Sequence, residues 1–457
     1  MWKFSPFRNE YLTLCSIQLI LPSMKRDIYQ QLIEWKQSEL RKPLILRGAR
    51  QVGKTYILLE FAKNEYENYI YLNFEDDPTL DALFSQRFDK EKIITGLSIY
   101  GGGVKVLPGS TLIIFDEIQA SNNALNSLKY FNERAKEYHI AAAGSLLGIK
   151  LGGQRSFPVG QVTFLDLYPA TFLEFLNAVG KPELRGLIES ANKDFESFPE
   201  PFHVELIEQL KYYYFTGGMP EAVSVYCKTR SFDAARKIQK DIMDTYLLDF
   251  TKHADSPEVM KITSVWQSIP VHLSKENKKF IFSVVRKDAR AREYEVALQW
   301  LCDAGLIYKC YNISRPGIPL MGYANENIFK VYLLDIGLLG AMVNLSPATL
   351  INGNAVFTHF YGAFVENYAA QQLRSKFPGN LFYWSSQGKA EVDFVYSVDD
   401  RVYPLETKAG LNLLSKSLKV YNEKYDPVVV SRSNLSNLRK DGKTCNYPLY
   451  AISLFPL

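Results

Sequence analysis

Hydrophobic spacing changes three times along the chain, and each change marks a different kind of structure. Over 24–167, short apolar runs alternate with stretches of helical period: 43–48 (PLILRG), 69–74 (YIYLNF), 111–117 (TLIIFDE), 139–145 (HIAAAGS) and 161–167 (QVTFLDL). Runs of this length with helices between them predict a parallel sheet with crossover helices. Over 168–254 the period is mostly helical, broken at Gly217-Gly218-Met219-Pro220. A small mixed segment follows over 255–345, and 346–457 begins with a helix, passes through alternating strands and ends in α/β pattern. The expected fold class is α/β, in modules of 24–167, 168–254, 255–345 and 346–457 behind an extension of 1–23.

Length agrees, since 457 residues at about 150 per domain predict several domains rather than one. The net charge of +4 is too small over this length to imply a nucleic-acid or lipid partner, so any such claim rests on local features. Five cysteines without a CxxC pair indicate neither a disulfide framework nor a zinc site, which suits a reduced cytoplasm. The apolar stretch 12–21 (LTLCSIQLIL) is too short to span a bilayer and lacks a clean cleavage site, so a cytoplasmic protein without a membrane partner is expected. Residues 1–23 could be an ordered accessory, a frayed tail or the product of an upstream start codon.

The strongest chemical signal is Gly48-Ala49-Arg50-Gln51-Val52-Gly53-Lys54-Thr55, a G-x-x-x-x-G-K-[ST] loop. Its glycines let backbone N–H groups wrap phosphates at a helix N-terminus. Lys54 would bridge the β- and γ-phosphates of ATP, and the Thr55 hydroxyl would bind magnesium. A chance match is the bland reading, and context argues against it. An apolar strand precedes the loop, and Ile57, Leu58, Phe61 and Ala62 after it form one helix face.

The strand at 111–117 ends in two acids. Asp116 is expected to hold the magnesium and Glu117 to polarise the attacking water. Ser145, at the end of the next apolar run, could sense the γ-phosphate or simply cap a helix. Two loop arginines could neutralise developing charge: Arg155, in the glycine-bearing stretch 152–158, and Arg50, which could equally face solvent.

In motif order and spacing, LILRGARQVGKT, TLIIFDEIQ, YPATFLEFL and GGMPEAV, the chain from Met24 onward resembles prokaryotic AAA-superfamily ATPases with an uncharacterised C-terminal domain. The resemblance implies ATP binding and hydrolysis by an AAA-type core, a winged-helix segment after it, and a C-terminal domain similar to the PD-(D/E)xK restriction-endonuclease-like fold. AAA-type cores often work as rings with an arginine from the neighbour, which makes a homo-oligomer a candidate state. Residues 1–23 fall outside the family pattern.

Residues 287–310 independently read as a helix with Tyr294, Ala297, Leu298 and Leu301 on one side, then a glycine turn into a strand. That is the helix-then-wing order of a winged helix, and Lys287, Arg290 and Arg292 stand where phosphate contacts with DNA would lie. Protein contact, or simple solvation, is the alternative.

Residues 390–410 (AEVDFVYSVDDRVYPLETKAG) read as a hairpin around Asp399-Asp400. Strand parity puts Glu391 with Asp393 on one face and Glu406 with Lys408 on one face, with Val392, Phe394, Leu405 and Ala409 opposite. Pairing across the turn brings Asp393 near Glu406, where a magnesium ion between two carboxylates is the expected occupant and Lys408 could activate water. Glu366, on an upstream helix, is a further candidate ligand. This Glu…Asp…Glu-x-Lys order is that of the PD-(D/E)xK nucleases, although such domains can keep their acids and only bind.

Overall fold

The computed structural model describes residues 24–85, 88–145, 160–253, 256–275, 278–287, 289–351, 358–386, 390–410 and 415–457. Arg155 and the 1–23 extension lie outside them.

The five apolar runs of the first module are the strands β1 (Leu44–Arg47), β2 (Asn68–Asn73), β3 (Thr111–Asp116), β4 (His139–Gly144) and β5 (Thr163–Asp166). All pair in parallel, in the order β2-β3-β4-β1-β5. Their alternation sorts side chains into two cores. Leu44, Leu46, Leu112, Ile114, Ala141 and Ala143 pack with Ile57, Leu58 and Phe61 of the helix Lys54–Glu65. Ile45, Ile113, Phe115, Ile140 and Ala142 pack on the other face with Leu97 and Leu128, from the helices Lys90–Tyr100 and Asn122–Arg134. A sheet covered on both faces reads as continuous apolar runs, which is why these strands were legible.

The region 168–253 is mostly helical, with helices Phe172–Ala178, Pro182–Glu189, Glu200–Thr216, Pro220–Thr229 and Phe232–His253. Thr171 and Glu174 form a reciprocal capping box at the start of the first. The break at Gly217-Gly218 is a crossing point. Gly217 has φ +68°, and a Cβ on Gly218 would stand 2.1 Å from the Ala170 carbonyl oxygen. Asp335 holds the crossing from a third segment, accepting from the Gly218 N–H at 2.6 Å.

The helix Ala291–Asp303 buries Tyr294, Ala297, Leu298 and Leu301 as the pattern requires, and Gly305 (φ +73°) turns the chain into β6 (Ile307–Ile313). β6 pairs antiparallel with β7 (Ala324–Leu333), completing the helix-then-hairpin order. It also pairs in parallel with β8 (Leu381–Ser385), which pairs with β9 (Glu391–Val392). The 255–345 and 346–457 segments therefore share the sheet β7-β6-β8-β9, and a boundary at 345 cuts through it. Periodicity within β6 cannot report this, because its second edge is satisfied by a strand about seventy residues later.

The remaining strands, β10 (Phe394–Val398), β11 (Arg401–Thr407), β12 (Val430–Asn434), β13 (Arg439–Asp441) and β14 (Thr444–Pro448), form a second C-terminal sheet in the order β10-β11-β12-β14-β13. The helix Thr358–Lys376 packs against both segments. No described helix is long and apolar enough to cross a membrane.

Candidate functional site

The phosphate-loop sequence runs from the end of β1 into the helix Lys54–Glu65, with Gly53 (φ +93°) and Gln51 (φ +65°) in the left-handed region. A Cβ on Gly48 would stand 2.3 Å from the Leu167 carbonyl oxygen, so only glycine lets the loop leave the sheet beside β5. Lys54 is buried, with its ammonium donating to the carbonyls of Gly48 (2.9 Å) and Ala49 (2.7 Å). Burial lowers its pKa to about 8, against the opposing pull of Glu117 and Asp116.

The Thr55 hydroxyl donates to Asp116 Oδ2 at 2.8 Å, and the Tyr71 hydroxyl donates to the same oxygen at 2.8 Å. A hydroxyl and a carboxylate meeting beside a lysine at a helix start are hard oxygen donors that fit a magnesium ion. Glu117 lies in the left-handed region (φ +46°), which turns its side chain off the strand. Gln119 Nε2 donates to Glu117 Oε2 and, at 3.3 Å, to Ser145 Oγ, while Ser145 Oγ donates to Glu117 Oε2 at 3.4 Å. Asp116 thus meets Thr55 of the loop, Ser145 lines a cavity with Gly48 and Ala49, and Glu117 is bonded to Gln119 and Ser145.

Arg50 is not solvent-facing. It pairs with Asp249 at 3.1 Å and Glu75 at 3.8 Å, and the Tyr246 hydroxyl donates to its carbonyl at 2.9 Å. The helix Phe232–His253 therefore grips the loop. Sequence reasoning missed this, and also missed Arg26. Arg26 Nη1 donates to the Val52 carbonyl at 3.1 Å and Nη2 to the Tyr168 carbonyl at 2.6 Å, while Nε pairs with Glu174 at 3.1 Å. No local signal marks these partners, since each belongs to a distant segment. A cavity of about 350 Å³ lies where the 24–167, 255–345 and 346–457 modules meet, lined by Gly48, Ala49, Ser145, Gly305, Tyr308 and Arg374.

The acids of the second expected site lie among side chains that the sequence did not point to. Val398 pairs with Arg401 across Asp399-Asp400, both in the left-handed region, so the two-residue hairpin stands. Asp393 falls where the chain leaves β9 and enters β10, passing from one sheet to the other. Its Oδ2 accepts from the Thr407 N–H at 2.7 Å and the Thr407 hydroxyl at 3.0 Å. Glu406 accepts from Lys408 at 2.5 Å and from the Ser415 hydroxyl. Val392, Phe394 and Leu405 are buried, and Ala409 is half-buried.

Glu366, on the helix Thr358–Lys376, pairs with Lys278 and, at 3.4 Å, with Lys330, and accepts from the Tyr332 hydroxyl at 3.1 Å. Lys330 also reaches Glu391 at 2.5 Å. Parity put Glu391 beside Asp393, but Glu391 pairs into β8 while Asp393 turns toward β11, because the strand changes sheets between them. Burial pushes Asp393 up, with the neighbouring Glu366 charge adding to it. For Glu366, burial would raise the pKa, but Lys278 and Lys330 outweigh it and hold the carboxyl low. Lys278, Lys330 and Tyr332 were not foreseen, although Lys330 had a signal: it interrupts the apolar run 328–334.

Lys287, Arg290 and Arg292 are exposed at the start of the helix Ala291–Asp303. Among the described residues, no group of three or more His, Cys, Asp or Glu side chains stands in metal-holding geometry.

Three family models match parts of the chain. Residues 40–176 match the AAA domain, 207–349 match a domain of unknown function (DUF8612), and 361–451 match another (DUF4143). An uncharacterized protein of Haemophilus influenzae is 25% identical over 342 residues, covering 68% of this chain and 79% of its own. Among solved structures, the Walker-type ATPase of Pyrococcus abyssi is similar over 70% of this chain and 96% of its own, at 14% identity and a TM-score of 0.44. A RuvB variant of Thermotoga maritima is similar over 62% and 88%, at 13% identity and a TM-score of 0.27. The five-stranded parallel sheet and its loop, within 40–176, form a P-loop ATPase domain of the AAA type.

Proposed function

We propose that the protein hydrolyses ATP with magnesium and uses the nucleotide cycle to control a DNA-facing C-terminal half. The observation that carries the first part is the contact of Thr55 Oγ1 with Asp116 Oδ2 at 2.8 Å, beside Lys54 and Glu117. Backbone N–H groups of 48–55 bind the phosphates, and Lys54 leaves its two loop carbonyls to meet the β- and γ-oxygens. Thr55 and Asp116 would hold magnesium, which neutralises phosphate charge when bound. Glu117, steadied by Gln119 and Ser145, orients the attacking water and accepts its proton. Arg155 remains the proposed source of a charge-stabilising guanidinium. Arg50 is held by Asp249, which favours a role in binding the helix Phe232–His253 to the loop.

Coupling is supported by contact. Gly305, between the helix Ala291–Asp303 and β6, lies so close to the loop that a Cβ there would be 3.5 Å from the Ala49 nitrogen. A nucleotide that shifts the loop therefore pushes on the segment bearing Lys287, Arg290 and Arg292, which we read as a winged helix contacting DNA phosphates. Lys54→Ala tests the ATPase: phosphate release and nucleotide binding unchanged by it would sink the assignment. Charge-reversing Arg290→Glu and Arg292→Glu test the DNA face, with weakened, less salt-dependent binding expected.

For the C-terminal segment there are two readings. The nearness of Asp393 to Glu366 and Glu406, with Lys408 paired to Glu406, supports a reading as a PD-(D/E)xK-like fold. Against cleavage, Lys330 and Lys278 enter the same cluster, which favours a domain of that fold that binds without cutting. Plasmid nicking in magnesium or manganese, abolished by both Asp393→Ala and Lys408→Ala, would establish cleavage; equal background in all three proteins would exclude it.

A further inference from the structure

We infer that the C-terminal acid cluster is closed by the ammonium groups of Lys330 and Lys278 in place of a divalent cation, so that it joins two segments of the chain and is not a hydrolytic centre. The inference concerns the C-terminal cluster alone and stands whether or not the P-loop hydrolyses ATP.

The donor set is the first ground. Magnesium needs several oxygens free to approach at about 2.0–2.1 Å in near-octahedral array. Here the carboxylates already face proton donors. Glu366 Oε1 meets Lys278, and its Oε2 meets Lys330 and the Tyr332 hydroxyl. Glu391 Oε1 meets Lys330, Asp393 Oδ2 takes two donors from Thr407, and Glu406 divides its oxygens between Lys408 and Ser415. A dication placed among these oxygens would have to displace donors and then stand beside a buried ammonium in a medium that screens poorly.

The second ground is Lys330 itself. Its side chain is 0% exposed, and it sits in the buried half of β7, where Glu366 and Glu391 neutralise it. Lys408, the lysine that the nuclease motif supplies, lies at the rim with 41% of its side chain exposed. The buried cation thus comes from outside the motif, from β7 of the preceding segment.

The third ground is where the partners lie. Lys278 and Lys330 are brought together by a backbone bridge between Lys279 and Lys330. Both belong to the 255–345 segment, while Glu366, Glu391, Asp393 and Glu406 belong to the following one. The cluster therefore spans the same joint that the β6–β8 pairing makes. Removing one charge from such a buried set leaves its partners uncompensated, which ties the two segments together.

The test uses full-length protein carrying Asp116→Asn, to silence the P-loop metal site, and titrates Mn2+ alone by electron paramagnetic resonance. The expected result is no Mn2+ site tighter than about 1 mM that Asp393→Asn removes. Adding Lys330→Met should create one, with affinity raised roughly tenfold or more, and a further Asp393→Asn should abolish it. A site in the parent protein that Asp393→Asn or Glu406→Gln removes would overturn the inference. So would a folded Lys330→Met protein that gains no Mn2+ affinity. If circular dichroism shows that Lys330→Met does not fold, Lys278→Ala, on the solvent side of the cluster, takes its place under the same two criteria.

Discussion

The Thr55 hydroxyl donates to Asp116 at 2.8 Å across 61 residues of sequence, and that contact brings the P-loop and the end of β3 into one centre. If these two oxygens hold magnesium during ATP turnover, Thr55→Ala and Asp116→Asn should each lower kcat by roughly 10²-fold or more, as the loss of one electrostatic partner of a transition state does. Thr55→Ser keeps the hydroxyl and should recover most of the rate. Phosphate release at saturating ATP and magnesium is the measurement; a Thr55→Ala enzyme at wild-type kcat would remove the hydroxyl from the mechanism.

Two glycines in the helical region should respond in opposite directions to the same added methyl. On Gly218 it would meet the Ala170 backbone at 2.1 Å, at a crossing that Asp335 also pins, so Gly218→Ala should destabilise by about 1–3 kcal/mol through overpacking. Gly186 lies exposed within the helix Pro182–Glu189 with nothing within 4 Å of its added Cβ, and Gly186→Ala should stabilise by about 0.5–1 kcal/mol. Urea unfolding midpoints compare the pair. Equal shifts would mean that the crossing at Gly218 is looser than its geometry.

What was legible in the sequence was local. The parallel strands announced themselves because the central ones are apolar on both faces, and Lys54, Thr55, Asp116 and Glu117 because the loop and the strand end fix their places relative to the backbone. The hairpin at Asp399-Asp400 followed from parity. What was not legible was every partner from another segment: Arg26 beneath Val52, Asp249 on Arg50, Lys330 among the acids. Such contacts depend on which surfaces dock, and helical or strand period reports only that a face is covered. The sheet shared across residue 345 was hidden for the same reason, since β6 finds its second neighbour in β8. Lys330 is the exception that a stricter reading would catch, because a lysine amid an apolar strand demands an acid.

Arg26 should act on stability and on the loop together. It lies buried against Glu174 and also donates to the Val52 carbonyl inside the loop. Arg26→Ala leaves Glu174 buried without its cation, which should cost about 3–5 kcal/mol of stability. Replacing both, Arg26→Met with Glu174→Gln, should restore much of the stability but not the loop contact. Nucleotide affinity therefore separates the roles: the double variant should melt near wild type yet bind ATP more weakly. Wild-type affinity in the double variant would reduce Arg26 to a structural ion pair.

His139 should give the AAA-type domain an acid sensitivity of its own. It opens β4, buried, with its Nδ1 at 2.8 Å from the Tyr66 hydroxyl and its ring edge-on to Trp35. Burial, reinforced by the charges of Arg41 and Lys36, lowers its pKa to about 4. In the unfolded chain the value is about 6.5. Between these two values the unfolded state binds a proton that the folded state refuses, so stability falls as pH falls from about 6.5 to about 4, by at most about 1.4 kcal/mol per unit. Above about 6.5 both states are neutral and the effect is absent. His139→Gln removes this term, so the stability advantage of wild type over the variant should be largest near pH 7 and shrink toward pH 4.5. Urea unfolding at the two pH values measures it, and an advantage of the same size at both would show that the imidazole accepts a proton in the folded state.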